Sequence, residues 1–199
     1  MGIAKALNHG LNSILEKGTH EFIARLDCGD TCVLNRFILQ EDYMEKNQDV
    51  SLVGSWVKWV NDDSQKELFS YCPPAEYKKI KKRMSIRCNV IHPSVMYRVS
   101  IVKEIGVYPV NFKAAEDYAY FFEIAKQSKV ANIPKFLTTT EHTQNGITNR
   151  NKKVQNRSKL KIVMTYGKKD FYLLYGILRN LLLIYTPAKL VYRVKSQFR

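Results

Sequence analysis

Acidic residues all but disappear from the last quarter of this chain. Residues 150–199 carry one, Asp170, against 13 Lys/Arg. That imbalance makes +12 of the formal net charge of +14, whereas the first 149 residues, with 19 basic and 17 acidic side chains, are nearly neutral. The basicity belongs to a tail and not to the body before it. Cysteine is scarce too: Cys28, Cys32, Cys72 and Cys88 fall at spacings that match no common zinc pattern. With no secretory signal in view, free thiols in a reducing cytoplasm are the expectation. A membrane-spanning run is also missing. Asp170–Tyr185 is apolar except for Arg179 and Asn180, but its 16 residues fall short of the roughly 20 that a spanning helix needs. Internal repeats and low-complexity linkers are absent, and 45% hydrophobic content over 199 residues suffices for one sizeable core.

The periodicity gives an alternating order of helices and strands. Ile3, Leu7, Leu11, Ile14 and Leu15 lie at helical spacing within residues 3–17, and Gly18 is a stop. Asn35 is placed to cap a helix running to about Asn47, with Phe37, Ile38, Tyr43 and Met44 inward. Val50–Val60 reads as a strand closed by Asn61, Asp62 and Asp63. Pro73 and Pro74 open a basic helix over Ala75–Met84, whose lysine run reads as a solvated face. Val90–Arg98 is extended but broken by Pro93, and Ser100–Ile105 is a short helix stopped by Gly106. Ala115–Gln127 is a helix, Val130–Thr140 a final strand, and Glu141–Asn151 a polar loop. Such alternation predicts an α/β fold with a mostly parallel sheet.

The stretch Phe22–Asp30 (FIARLDCGD) organises the rest. A short apolar run ends abruptly at two acids and a glycine. In open α/β sheets ligands gather beyond the carboxyl ends of strands, where carboxylates hold hard cations and cations hold phosphates. Asp27 and Asp30 therefore read as a metal–diphosphate site, with a solvated Asp-Gly turn as the competing reading.

Four stretches, taken together, resemble the family 2 glycosyltransferases, which have the GT-A fold: Gly2–Asn8 (GIAKALN); Ile23–Asp30 with Arg36 and Phe37; Ile91–Arg98 (IHPSVMYR); and Ala115–Tyr118 (AEDY). The resemblance covers roughly residues 2–165 and implies an inverting transferase. It would move a sugar from a nucleotide-sugar donor to a cell-surface glycan or a lipid-linked saccharide. It also implies a divalent cation, Mg²⁺ or Mn²⁺, on an Asp-x-Asp motif. Asp27 matches the first acid and Asp30 the last, while Gly29 stands where the middle acid belongs. Glu116 and Asp117 match the segment that supplies the catalytic base; the match gives Asp117 that role and Glu116 a neighbouring one, though chemistry alone leaves the two exchangeable. Lys5, Asn8, Arg25 and His92 match donor-side positions, and His142 stands in the loop after the last strand. Members of the family begin with strands that hold the nucleoside, and the matched stretches here start after them, so a catalytically inactive remnant is the alternative.

The resemblance divides the chain into a partial GT-A domain, 1–165, and a basic, aromatic-rich helical tail, 166–199. In the tail Gly176, Arg179, Thr186, Lys189 and Arg193 recur at near-helical spacing as a narrow polar stripe, with Pro187 opening a second helix after Thr186. This is the pattern of a helix lying in an anionic membrane surface, which would hold the protein at the inner face of the cell membrane. A helical hairpin packed on the sheet is the competing reading. Nucleic acid is excluded as a partner, because the apolar content is too high for a phosphate-tracking arm.

Overall fold

The computed structural model describes residues 2–61, 63–142 and 152–186. Its elements are α1 (Ile3–Lys17), β1 (Phe22–Ala24), β2 (Thr31–Cys32), α2 (Arg36–Lys46), β3 (Val50–Asn61), β4 (Glu67–Tyr71), α3 (Tyr77–Met84), a 3₁₀ turn (His92–Ser94), β5 (Met96–Arg98), α4 (Val99–Ile105), α5 (Glu116–Gln127), β6 (Lys129–His142), α6 (Lys152–Tyr166) and α7 (Phe171–Tyr185). The helix expected after Thr186, opened by Pro187, lies outside the described residues, as do residues 143–151 of the expected polar loop.

One six-stranded sheet runs β1-β5-β3-β6-β2, and β4 is added to β3. Strand β3 carries β6 along one edge, from Val50 to Asn61. On its other edge it carries β5 at Leu52 and Val53, then β4 from Val57 to Val60. The fold class is the expected α/β, but the strand directions correct the expectation of a mostly parallel sheet. Among the described residues only β3 and β6 pair in parallel; the other four pairings are antiparallel. A parallel neighbour needs a long crossover, and α3 to α5 supply that between β3 and β6. Strand β4, which the sequence reading lacks, returns directly after β3 as a hairpin, and Trp59 stacks on Phe69 across it at 5.0 Å.

Alternation along β3 separates two cores. Leu52 faces a cluster built from α1, α3, α4, α5 and α6, centred on Tyr118, Phe121 and Ile124. Val53 faces the other side, with Met44, Met96, Ala131 and Leu137. Helix α2 covers that second face, and it does so with a polar stripe: Arg36, Gln40 and Met44 are its buried residues. Phe37 and Ile38, expected inward, are 44% and 61% exposed, and Asn35 makes no side-chain cap bond.

The reason is a set of backbone carbonyls waiting beneath α2. Arg36 Nη2 donates to the carbonyls of Arg25 (2.7 Å) and Val95 (3.2 Å), and its Nε donates to Gln40 Oε1 (2.9 Å). Gln40 Nε2 in turn donates to the carbonyls of Ser94 (2.8 Å) and Val53 (3.2 Å). Burial lowers the pKa of Arg36, and the neighbouring Cys32 and Asp30 oppose that shift. This guanidinium therefore binds β1, the turn before β5 and α2 into one unit. An Arg36→Met variant fills the space but leaves buried acceptors unmet, so it should lose about 3 kcal/mol of stability, measurable by chemical denaturation.

Candidate active site

Past Ala24 the β1 backbone still pairs, with Arg25 N donating to the Val95 carbonyl at 2.9 Å. The chain then turns: Asp30 N donates to the Asp27 carbonyl at 3.1 Å, and Gly29 sits at φ +88°. A positive φ at the third position of a tight turn favours glycine, which gives a backbone reason for the missing middle acid. The space gives a second. A Cβ at Gly29 would stand 3.0 Å from Glu141 Oε2.

Strand β2 pairs with β6 through Thr31–Thr139 and Cys32–Thr138, and this register carries Asp30 to the end of β6. Thr140 Oγ1 donates to Asp30 Oδ2 and Glu141 N donates to Asp30 Oδ1, each at 3.2 Å. Burial raises the Asp30 pKa to about 6, and the charges of Asp27 and Glu141 push the same way against those hydrogen bonds. Glu141 is itself held by Gln65 Nε2 at 3.1 Å. Asp27 is paired with Arg25, whose Nε and Nη2 lie 2.7 and 2.6 Å from its Oδ1.

The second acidic pair is delivered by α5. Ala115, just before it, takes a left-handed conformation at φ 60°, which costs a residue with a Cβ roughly 1–2 kcal/mol and turns Glu116 and Asp117 into the first helical turn. Both are half-buried there, where the helix N-terminus favours negative charge. His92, opening the 3₁₀ turn, links the two groups of acids. Its Nε2 lies 3.0 Å from Tyr108 Oη, and its ring meets those of Tyr108 and Phe121 edge-on at 5.7 Å. Burial lowers its pKa, while Asp117, Asp27 and Glu116 raise it and Arg25 lowers it, so all four stand within electrostatic reach of one imidazole.

The structure thus brings together Arg25, Asp27, Asp30, His92, Glu116 and Asp117. Asn8 joins at the rim, donating from Nδ2 to the Tyr108 carbonyl at 2.8 Å. Lys5 does not: it is exposed on α1 and makes no ion pair among the described residues, because the face α1 turns to β1 is apolar (Ala6, Leu7, Gly10). His142 ends β6, and its side chain lies outside the described residues.

Two site residues escape the sequence reading. Glu141 follows a β-branched run as Asp27 follows β1, so the rule that singles out an acid at a strand tip, applied to Val130–Thr140, would have found it. Lys159 carried no signal. It is largely buried on α6, where burial lowers its pKa and Asp117 holds it up.

Hard oxygen donors of this kind suit a divalent cation, and the cradle at Gly29 is filled by a carboxylate in place of a Cβ. No three His, Cys, Asp or Glu side chains among the described residues enclose an ion by themselves. Mg²⁺ ordinarily uses one or two carboxylates and completes its shell with water and phosphate oxygens, so the residues present fit that mode of binding.

Comparison with known proteins decides the fold. The chain aligns with TarS residues 1–349 of S. aureus at a TM-score of 0.58, with 14% identity, 91% of this chain covered and 51% of that one. It aligns with a mannosyltransferase of Pyrobaculum calidifontis, solved with GDP-mannose and Mn²⁺, at 0.57, with 13% identity and 88% and 48% covered. This is a GT-A glycosyltransferase fold. Curated relatives matched in sequence are glycosyltransferases. An Escherichia coli UDP-Gal:α-D-GlcNAc-diphosphoundecaprenol β-1,3-galactosyltransferase is 33% identical over 146 residues, covering 69% of this chain and 48% of that protein. The amylovoran biosynthesis glycosyltransferase AmsE of Erwinia amylovora is 31% identical over 138 residues, covering 69% and 49%. The chain spans about half the length of the curated relatives it matches. No protein-family model matches it.

On this GT-A chain, the titration of Asp30 is a direct readout of the acid cluster. A carboxyl raised to about 6 is protonated more readily in the folded than in the unfolded state, so folding stability from this group falls as pH rises from about 4 to about 6 and is regained on acidification. The stability difference between the parent and an Asp30→Asn variant should change across that window and flatten above it, by denaturation at several pH values. Glu141→Gln should lower the Asp30 midpoint in a carbon-detected NMR titration, because one facing negative charge is removed.

Proposed function

We propose that the chain carries the reaction centre of a nucleotide-sugar-dependent, inverting glycosyltransferase of family 2. The observation that supports it is the meeting of Asp27 and the helix-tip acids Glu116 and Asp117 around His92, with Asp30 and Glu141 beside Asp27, on a GT-A fold. Asp117 is the base: it takes the proton from an acceptor hydroxyl as that oxygen forms its bond to the anomeric carbon and the bond to the donor's diphosphate breaks. Glu116 stands beside it to orient the acceptor, and Lys159 lies within electrostatic reach of Asp117. Arg25 steadies Asp27, while Asn8 and Tyr108 fix His92 on the donor side.

Asp27 and Asp30, with Glu141 in the place that Gly29 leaves open, are the residues that would hold Mg²⁺ or Mn²⁺. Bound there, the cation supplies neutralisation of the diphosphate leaving group. The acceptor class proposed is a lipid-linked saccharide or glycan, by analogy with the E. coli relative, and the position proposed with it is peripheral, at the inner face of the cell membrane. No helix of the described residues is long and apolar enough to cross one. An inert remnant is the less favoured reading, since the relatives are transferases and both acid pairs converge.

Asp117→Asn should lower transfer from UDP-galactose or GDP-mannose by about 10²–10⁴-fold, with UDP or GDP affinity held within a few-fold. A variant with near-normal turnover would sink the assignment of the base. In calorimetric titrations with UDP and GDP, Mn²⁺ should tighten binding and EDTA should remove the gain. Asp27→Ala should abolish that metal dependence and Glu141→Gln should weaken it roughly tenfold, about 1.4 kcal/mol. Binding that is equal in EDTA and in Mn²⁺ would mean a metal-free site.

A further inference from the structure

Helix α7 packs on the body with one mixed face, Leu173, Gly176, Ile177, Asn180 and Ile184, and turns a second, apolar face outward. Gly176, Asn180 and Ile184 are its buried positions. At Gly176 the helix lies directly on the chain after α3, for a Cβ there would stand 1.9 Å from the Ser85 carbonyl oxygen. Asn180 Nδ2 donates to the Gly176 carbonyl at 2.8 Å, and Asn156 of α6 donates to the Leu183 carbonyl at 2.9 Å. Arg179 lies near Arg87 and Tyr118, and burial lowers its pKa. The polar stripe of the tail thus turns toward the body at Gly176 and Arg179, and the close approach at Gly176 seats the hairpin of α6 and α7 there.

The opposite face carries Phe171, Leu174, Tyr175, Leu178, Leu182 and Tyr185, each between 49% and 82% exposed. At about 100° per residue they fall within an arc of roughly 100°, and no polar side chain interrupts it. A helix docked on a soluble body normally shows water its charged side. This one shows it an unbroken apolar band.

We propose that this band seats on an anionic lipid surface, with α7 lying in the plane of the membrane. The inference deepens the membrane-peripheral reading above, and it rests on α7 and not on the transfer chemistry. With 15 residues, α7 is too short to span a bilayer, which leaves the interfacial mode. Its surroundings choose the lipid charge. Lys153, Arg157 and Lys161 recur on exposed positions of α6, and Lys168 and Lys169 stand exposed at the start of α7. The sole acid between Lys152 and Thr186 is Asp170, and its carboxylate is engaged in capping α7, accepting from Leu173 N at 3.1 Å. Beyond Thr186 the sequence adds Lys189, Arg193, Lys195 and Arg199 and no acid. A second copy is the wrong occupant, because it would bring the same uncompensated positive charge to the seam.

The test uses the full chain with vesicles of phosphatidylcholine alone or mixed with phosphatidylglycerol, across a salt series. The parent should co-sediment with the anionic vesicles, lose much of that binding as salt screens the attraction, and keep an apolar residue of it at about 1 M salt. Leu174→Glu/Leu178→Glu/Leu182→Glu should cut binding at least tenfold and remove the salt-resistant part. Lys168→Glu/Lys169→Glu should weaken the low-salt part and spare the other. Both sets of positions are exposed, and unchanged thermal unfolding confirms that each variant folds. UDP titration with Mn²⁺ on the same samples separates the two readings: vesicle binding that follows the α7 face upholds the docking whether or not nucleotide binds. No binding of the parent to anionic vesicles, equal binding by the triple variant, or a parent dimer that the triple variant splits would overturn it.

Discussion

The buried guanidinium of Arg36 is the interaction on which the arrangement of this molecule turns. It is fully buried, and it meets the backbone carbonyl of Arg25 at the exit of β1 and that of Val95 at the entry to β5. Through Gln40 the same network reaches Val53 and Ser94. A charge so placed costs a great deal to bury and is retained only where its partners are fixed. Here the partners are the backbone of the segments that lead into Asp27 and out of His92. The acid loop and the imidazole are therefore held in register by this one buried side chain.

Around that anchor, the sheet acts as a device for convergence. Strand β6 runs parallel to β3 and ends at Glu141 and His142, and the two-residue pairing with β2 places Asp30 against that end. The parallel pair needs the α3–α5 crossover, and that crossover delivers Glu116 and Asp117 at the start of α5. Segments distant in sequence thus meet because four short antiparallel strands are built onto one long parallel pair. The glycine at position 29 belongs to the same logic. Its turn geometry favours glycine over a middle acid, and the carboxylate of Glu141 stands in the space so left.

The C-terminal hairpin obeys a different constraint. Its inner surface joins apolar packing of Ile162, Val163, Leu173 and Ile177 to backbone contact at Gly176 and to amide side chains. On the outer side Leu174, Leu178 and Leu182 face outward beside an excess of positive charge.

Much of this was legible in the residues alone. Apolar periodicity measures which positions share a face, so α1, α2, β3, α3, α4, α5 and β6 emerge close to their observed limits, and an apolar run ending in acids marks Asp27 and Asp30 as a strand tip. Charge counted along the chain separates the basic tail from the neutral body. Periodicity does not say what a face meets. Phe37 and Ile38 looked like the inner side of α2, but the carbonyls of Arg25 and Val95 lie there, and only Arg36 and Gln40 can satisfy them. Strand direction likewise depends on connections: Asn61 to Lys66 closes a hairpin that a strand-by-strand reading passes over. Glu141 joined the acids only when β2 and β6 were in register, and the outward turn of α7's apolar band was decided by the fit of Gly176 against Ser85. Local sequence determined where elements form and which groups could do chemistry. Contacts between residues tens of positions apart decided which of those groups meet, because burying polar backbone without partners costs more than exposing a few apolar side chains.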